Sequence, residues 1–262
     1  MTRIDKVMAD RKAAGKKAIF IYITAGAPDI PTTIEAVKRA EAAGADVIEL
    51  GLPFSDPMAD GPVIQTASVV ALKNGMTLAK ELDLVREIRK FSDIPLIGMG
   101  YINNMYHYGF EKFVEDFKAA GMDGVIIPDV PHEESGDLRR IAAAHDFVLA
   151  EFITPGTTAV RMEEICQDAS GFIYCVSNNG VTGVKKVDYS TIGAVCDTAR
   201  NYTRTPLAVG FGIGSSEAAV AAAAHADAVI VGSAVVKELL AGKLDEAAQL
   251  IADMREALDK SY

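Results

Sequence analysis

The feature that most restricts the fold of this chain is a regular alternation of short apolar runs with amphipathic stretches. Eight runs have strand length and are often β-branched, and they cover residues 18–24, 46–50, 95–100, 124–128, 147–153, 171–176, 206–210 and 226–231. Strands that alternate with helices are typical of parallel sheets with helical crossovers. Eight such units in 262 residues favour a closed (β/α)8 barrel over an open doubly wound sheet. No GxGxxG sequence follows the first run, which further disfavours a dinucleotide-binding fold.

The stretches between the runs carry helix signals, such as Asp29 with Pro31 and the serine pair Ser215-Ser216. Helices are predicted in the polar N-terminal segment, after Gly61-Pro62, and at residues 31–43, 78–91, 110–120, 133–144, 159–168, 189–200, 215–224, 235–240 and 244–258. No linker or low-complexity segment interrupts the pattern. The sequence therefore predicts a single domain over residues 1–262, an α/β fold of the (β/α)8 TIM barrel type with extra N-terminal and C-terminal helices.

Composition limits the classes of partner. A formal net charge of −10 and an isoelectric point near 4.9 argue against nucleic acid or an anionic membrane as the main partner. No apolar run reaches the roughly 20 residues that span a bilayer, and the charged N-terminus lacks the apolar segment of a signal peptide. Cys166, Cys175 and Cys196 show no CxxC spacing, so we expect reduced thiols in a cytoplasmic protein.

A barrel of this type binds its substrate at the C-terminal ends of the strands. Two of the loops there are long, at residues 51–61 and 177–188, and long loops in compact domains are often functional. Because strand side chains alternate, Glu49 is expected to point into the barrel, and Asp60 follows in the first long loop. Two carboxyl groups in different surroundings suit general acid–base chemistry. The alternatives are a Glu49 paired with a basic side chain and an Asp60 that, like Asp56, caps a turn.

Other inward positions and glycine loops complete the predicted site. The same alternation places Phe20, Tyr22 and Thr24 inside on the first strand and Phe172 and Tyr174 inside on the sixth, where core packing is an equal explanation. A phosphate group is expected at the loops after strands seven and eight, where backbone N–H groups and helix N-termini bind anions, although glycines also serve simply as tight connections. The candidate phosphate ligands are Gly183, Gly212, Gly232 and Ser233.

Several other chemistries are disfavoured. His107, His132, His145 and His225 lack metal-ligand spacing, so no metal site is predicted. No lysine falls late in a strand, which disfavours a Schiff-base aldolase, and no nucleophile elbow is present. What remains is a cofactor-free acid–base reaction on a phosphorylated molecule.

With these residues in place, the chain closely resembles the tryptophan synthase alpha chain family. The resemblance covers nearly the whole chain and rests on IELGLPFSDPMADGPVIQ at 48–65, PDVPHEES at 128–135, NGVTG at 179–183, GFGI at 210–213 and VGSA at 231–234. It implies reversible retro-aldol cleavage of indole-3-glycerol phosphate to indole and glyceraldehyde 3-phosphate, in L-tryptophan biosynthesis. It also implies a beta-chain partner in an alpha2beta2 tetramer. Pyridoxal phosphate is expected in that partner and no cofactor in this chain.

The resemblance also implies residue roles. Glu49 would transfer the protons, Asp60 would bind the indole N–H, Tyr174 would help orient Glu49, and Thr182 would meet Asp60 when the lid closes. The indole pocket would be walled by Phe20, Tyr22, Ile64, Met99, Ile126, Ile153 and Phe211. Two departures from the family pattern stand out. Asn178-Asn179 replaces an arginine and a small residue, and Tyr22 replaces a frequent phenylalanine.

Three other functions stay open from sequence. Another phosphate-binding barrel, such as a sugar-phosphate epimerase or thiamin-phosphate synthase, would need metal ligands or a diphosphate site. A stand-alone lyase would release free indole. A binding subunit would mainly activate its partner. In that case the functional surface would be an exposed partner interface around Pro53, Asp56, Pro57 and Asn103.

Overall fold

Eight parallel strands close into a barrel in the computed structural model, which describes residues 1–176 and 189–262. Each strand pairs with its sequence neighbours, and β8 closes the ring on β1. The predicted (β/α)8 barrel is therefore confirmed. The strands are β1 (Ala18–Thr24), β2 (Val47–Gly51), β3 (Leu96–Met99), β4 (Gly124–Ile126), β5 (Val148–Ile153), β6 (Ile173–Val176), β7 (Leu207–Gly210) and β8 (Ala228–Val231).

Helices surround the barrel and extend beyond it at both ends of the chain, as predicted. Within the described residues they are α1 (Arg3–Ala13), α2 (Ile30–Ala42), α3 (Pro62–Lys73), α4 (Leu78–Arg89), α5 (Ile102–Tyr108), α6 (Phe110–Ala120), α7 (Gly136–Ala144), α8 (Ala159–Asp168), α9 (Tyr189–Ala199), α10 (Ser216–Ala223), α11 (Ser233–Leu240) and α12 (Leu244–Ser261). A short 3-10 turn, His132–Glu134, precedes α7, so the stretch 133–144 is not one helix.

Other details also differ from the sequence-based expectation. Strand β4 ends at Ile126 rather than at Pro128, because a proline offers no N–H group to the strand ladder. Helix α5 was not predicted, since its sequence INNMYHY is short and lacks an apolar period. Tertiary contact holds its start instead: the Asp129 carboxylate accepts a hydrogen bond from the Ile102 N–H at 3.0 Å.

The core has two layers. Inside the barrel, the inward side chains of the strands form one buried cluster, which includes Phe20, Phe172 and Ile126. Ile4 and Met8 of α1 belong to the same cluster, so α1 closes the N-terminal end of the barrel. The outward side chains pack against the helices in a second, larger cluster. The C-terminal end of the barrel is thereby left for the βα loops that carry the candidate site.

Candidate active site

Glu49 lies on β2 and points into the barrel, in register with Tyr22 of β1 and Ile97 of β3. Only 1% of the residue is exposed, and its Oε2 atom has no hydrogen-bond partner among the described residues. Burial, and after it the negative charge of Asp60, raises the pKa of Glu49 to about 8. Glu49 therefore holds its proton at neutral pH and can act as an acid.

Asp60 lies at the end of the first long loop and is half-buried. Burial raises the pKa of its carboxyl group to about 6, and a hydrogen bond from the Tyr101 hydroxyl opposes that rise. Tyr101 is oriented for this contact because its hydroxyl oxygen accepts the Ala59 N–H at 2.9 Å, which leaves its own proton for Asp60. Its ring also stacks on Phe54 of the same loop, with centroids 5.1 Å apart.

The two carboxyl groups thus titrate in a definite order. At a pH between about 6 and 8, Asp60 is ionised while Glu49 is protonated. The ionised Asp60 contributes to this order, because its negative charge disfavours a second negative charge on Glu49 and so raises the pKa of Glu49. One site thus offers a proton donor and a fixed negative charge at the same pH. The predicted pairing of two carboxylates in unlike surroundings is present in the geometry.

Two tyrosines flank Glu49, and each fits over a glycine of the next strand. A β-carbon at Gly51 would overlap the Tyr22 hydroxyl, and one at Gly210 would overlap the Tyr174 hydroxyl. Both tyrosines are buried, with burial as the main cause that raises their pKa values. For Tyr174 the charge of Glu49 is the next largest cause of the raised pKa. The small glycines make the room that the two hydroxyls need at the barrel mouth.

The predicted pocket walls lie at different depths of the barrel, and one of them lies on its outer face. Ile126 points into the barrel, Met99 packs against both core clusters, and Ile64 of α3 is buried in the outer one. Phe211 follows β7 with a positive φ of 78° and packs edge-on against Tyr174, with centroids 6.4 Å apart. Phe20 lies one layer deeper than Tyr22. Its fully buried ring packs edge-on against Phe172, so it supports the site from below.

Ile153 was assigned to the wrong face of β5. It packs in the outer cluster, whereas Phe152 packs against the inner one and lies over Tyr174 with centroids 5.3 Å apart. The phase of the strand is fixed by Glu151, whose carboxylate contacts His132 of the outer layer at 3.1 Å. Side chains alternate along a strand, so Glu151 and Ile153 face outward together. Phe152 is the residue of β5 that reaches the site.

The glycine loops after β7 and β8 lie side by side, because these strands are neighbours in the barrel. Gly212 has a positive φ of 76°, and Gly232 directly precedes α11, whose first residue is Ser233. Among the described residues no side chain caps the start of α11, so the N–H groups of its first turn can bind an anion. Two further candidates, Gly183 and Thr182, lie outside the described residues.

The proposed partner face is only partly exposed. Asp56 and Asn103 are exposed and Pro57 is half-exposed, but Pro53 is buried, and its carbonyl oxygen accepts a hydrogen bond from Asn104 of α5 at 3.3 Å. The prediction of an exposed Pro53 was wrong because α5, absent from the predicted elements, covers it. The sequence analysis also missed two apolar side chains in the same loop and helix, Met58 at 82% and Tyr106 at 78% exposed.

Sequence reasoning missed Tyr101 and Phe152 as site residues. Alternation along β5 could have found Phe152 if the outward position of Glu151 had been used. Tyr101 follows β3 in the loop before α5, and only its aromatic ring beside a strand end hinted at a role. Over residues 1–176 and 189–262, no group of His, Cys, Asp and Glu side chains could hold a metal ion. In the same ranges, no helix is both long and apolar enough to cross a membrane.

Comparison with known proteins agrees with this geometry. A family model described as "Tryptophan synthase alpha chain" matches residues 8–261. The tryptophan synthase alpha chain of Caldanaerobacter subterraneus subsp. tengcongensis is 42% identical over 98% of this chain and 100% of its own length. That of Clostridium kluyveri is 39% identical over 99% and 100%. A solved structure of tryptophan synthase subunit alpha from Legionella pneumophila superposes with a TM-score of 0.91 at 37% identity, covering 99% of each chain. The chain belongs to the tryptophan synthase alpha chain family.

Proposed function

We propose that Glu49 and Asp60 together perform the reaction of this family. The tryptophan synthase alpha chain is a lyase that cleaves indole-3-glycerol phosphate into indole and glyceraldehyde 3-phosphate, a reversible retro-aldol reaction. The observation that carries the assignment is the placement of two carboxyl groups at one barrel mouth, with Glu49 buried on β2 and Asp60 half-buried in the loop that follows. There the two pKa values fall in a definite order, about 8 for Glu49 and about 6 for Asp60. That order supplies an acid and an anion at the same pH.

In the proposed chemistry Glu49 acts twice, first as an acid and then as a base. Asp60 accepts a hydrogen bond from the indole N–H and stabilises the positive charge that develops on the ring. Protonated Glu49 donates its proton to indole C3, and its carboxylate then removes the proton of the hydroxyl on the adjacent chain carbon. The C–C bond electrons return to the ring, which leaves as indole, and the hydroxyl carbon becomes the aldehyde. Glu49 ends protonated, ready for the next turnover.

The surrounding residues are proposed to hold the substrate. Tyr174, Phe152 and Phe211 supply flat or apolar surface for the indole ring, supported by their mutual ring contacts. Ile126, Met99 and Ile64 complete the wall, with Tyr22 at its edge. The phosphate is assigned to the loops of Gly212, Gly232 and Ser233, supported by the uncapped start of α11. Family resemblance adds Gly183 to this group and Thr182 as a lid contact for Asp60.

The alpha chain of this family has no cofactor of its own and works with a beta chain, where pyridoxal phosphate serves the joining of indole to serine. The proposed contact surface is the first long loop with α5, carried by Asp56, Pro57 and Asn103. Exposed Met58 and Tyr106 support it, because apolar side chains in the open are typical of interfaces. This surface includes the loop that ends at Asp60, so a partner could bias the position of a catalytic group.

We also propose that residues 1–262 form one barrel domain and that the protein acts in the cytoplasm as part of an alpha2beta2 tetramer. Closure of the strand ring supports the first point, and three free, buried cysteines are in keeping with a reducing compartment. Fractionation of cells that express the tagged chain tests the location, and light scattering with a beta chain tests the assembly.

One experiment tests the function directly. The purified chain is mixed with indole-3-glycerol phosphate and released indole is measured, with and without a tryptophan synthase beta chain. We expect slow release by the chain alone and faster release in the complex. Stimulation of the beta chain without any release of indole would instead identify a binding subunit.

A further inference from the structure

The proposed mechanism gives no task to the buried hydroxyl of Tyr22. Tyr22 is 7% exposed and Thr24 is 1% exposed, and both point toward the upper interior of the barrel from β1. The Thr24 Oγ1 donates a hydrogen bond of 3.4 Å to the Tyr22 hydroxyl oxygen. The Tyr22 proton must therefore point elsewhere. Buried polar hydrogens need acceptors, so this proton calls for a partner that the described residues do not supply.

The position of the Tyr22 side chain indicates where that partner lies. The Cβ end of the Tyr22 side chain lies beside the loop after β8, since a β-carbon at Gly232 would be 3.5 Å from the Tyr22 Cβ. Its far end is over Gly51, one inward position beyond Glu49 on β2. The side chain thus runs from the loop assigned to the phosphate toward the carboxyl groups assigned to the indole end. Burial and then the charge of Asp60 raise the pKa of Tyr22, which agrees with a position at the same barrel mouth.

A substrate held at both ends must lay its middle along this side chain. This inference rests on the proposed function, in which the middle of the substrate is the glycerol chain with its two hydroxyl groups. The one on the carbon bonded to indole is deprotonated by Glu49. The other remains a hydroxyl in glyceraldehyde 3-phosphate and lies nearer the phosphate. We propose that Tyr22 is a specificity-determining residue whose hydroxyl, oriented by Thr24, donates a hydrogen bond to this surviving hydroxyl of the substrate.

The role requires the small residue opposite. Only a glycine at position 51 leaves room for the Tyr22 hydroxyl at this point of the barrel. A phenylalanine at position 22 would fill the same volume without the donor. Tyr22→Phe therefore removes one hydrogen bond and little packing, and it is the informative substitution.

The test uses the reverse reaction, in which indole condenses with an aldehyde. Two aldehydes are compared, glyceraldehyde 3-phosphate and 3-phosphooxypropanal, which lacks the surviving hydroxyl. The protein is assayed as the complex with a beta chain that lacks its own activity. For Tyr22→Phe we expect kcat/KM to fall roughly 3- to 10-fold with the natural aldehyde and to stay within two-fold with the deoxy aldehyde. Thr24→Val should shift the ratio in the same direction by less, and Thr24→Ser should restore it.

Controls separate the possible failures. Tyr262→Phe removes a hydroxyl that donates to the Val220 carbonyl at 3.0 Å, on the helical outer layer, and should leave both rates unchanged. Calorimetric binding of indole-3-propanol phosphate, which has no chain hydroxyls, should be the same for Tyr22→Phe and wild type. Equal losses with both aldehydes would overturn the assignment to Tyr22. A wild-type complex that condenses neither aldehyde would overturn the proposed function itself.

Discussion

Glu49 and Glu81 are two buried glutamates with the same titration behaviour in different regions of the molecule. Burial raises the pKa of each to about 8, and each has an Oε2 atom without a hydrogen-bond partner among the described residues. Glu49 lies at the barrel mouth, where the charge of Asp60 acts on it. Glu81 lies in the first turn of α4, which packs against α2 and α6, and burial alone accounts for its pKa.

The comparison shows that a raised pKa does not identify a catalytic acid. Both residues hold a proton at neutral pH, but only Glu49 faces a second carboxyl group, two buried tyrosines and the glycine loops of the strand ends. Glu81 lies in the outer helical layer, where its Oε2 atom has no hydrogen-bond partner among the described residues. Function follows from what the proton can reach, and the pKa only decides whether a proton is there to give.

The strongest contrast is expected from Glu49→Gln. The amide keeps the shape of the side chain but can neither donate the proton to indole C3 nor take one from the substrate hydroxyl. We expect indole release to fall by about 1,000-fold or more, since general acid–base groups contribute factors of this order. Rates are measured under single-turnover conditions, and circular dichroism checks the fold. Activity within ten-fold of wild type would remove Glu49 from its role.

Asp60→Asn is expected to have the next largest effect. The amide can still meet the indole N–H through its oxygen, but it loses the negative charge that stabilises the developing positive ring. We expect kcat to fall roughly 100- to 1,000-fold, as seen when a group that stabilises transition-state charge is removed. Binding of indole-3-propanol phosphate serves as the control and should weaken far less than kcat. A loss confined to KM would instead give Asp60 a purely binding role.

The order of the pKa values gives a smaller but sharper effect on pH dependence. Catalysis needs ionised Asp60 and protonated Glu49, so kcat/KM should rise through about pH 6 and fall through about pH 8. Tyr101→Phe removes the hydrogen bond that lowers the pKa of Asp60, so the acidic limb should move upward by about one pH unit. Tyr202→Phe changes an exposed tyrosine between α9 and β7, before a strand rather than after one, and should leave the profile unchanged. An acidic limb that stays in place in Tyr101→Phe would show that this limb does not report Asp60.

The sequence predicted the fold and the positions of the two carboxylates better than it predicted the residues of the pocket. Eight runs of strand length that alternate strictly with helices are compatible with few folds, so the barrel could be predicted. Glu49 was predictable because a lone charged residue in an apolar strand must be accounted for. Ile153 was misplaced because strands of a parallel barrel are apolar on both faces, so the phase of 147–153 is hidden in its composition. The position of Tyr101 and the burial of Pro53 could not be predicted because both depend on α5. That helix has no helical sequence pattern and is stabilised by tertiary contacts.

The smallest effect on turnover is expected from Glu81→Gln, which matches Glu49→Gln in chemistry and burial. Indole release should stay within two-fold of wild type, while stability should change with pH. In the wild type, folded Glu81 keeps its proton up to about pH 8, whereas a glutamate in the unfolded chain loses it near its ordinary pKa of 4.5. Between these values the folded state binds more protons, so the free energy of unfolding falls as pH rises. The amide cannot titrate, so Glu81→Gln should be more stable than wild type near pH 8, on the order of a few kcal/mol, with little difference at pH 4.

Urea unfolding at both pH values measures this difference. Equal stability at pH 8 would mean that Glu81 finds a partner for its charge when it ionises, and a large loss of turnover would mean that α4 takes part in the reaction.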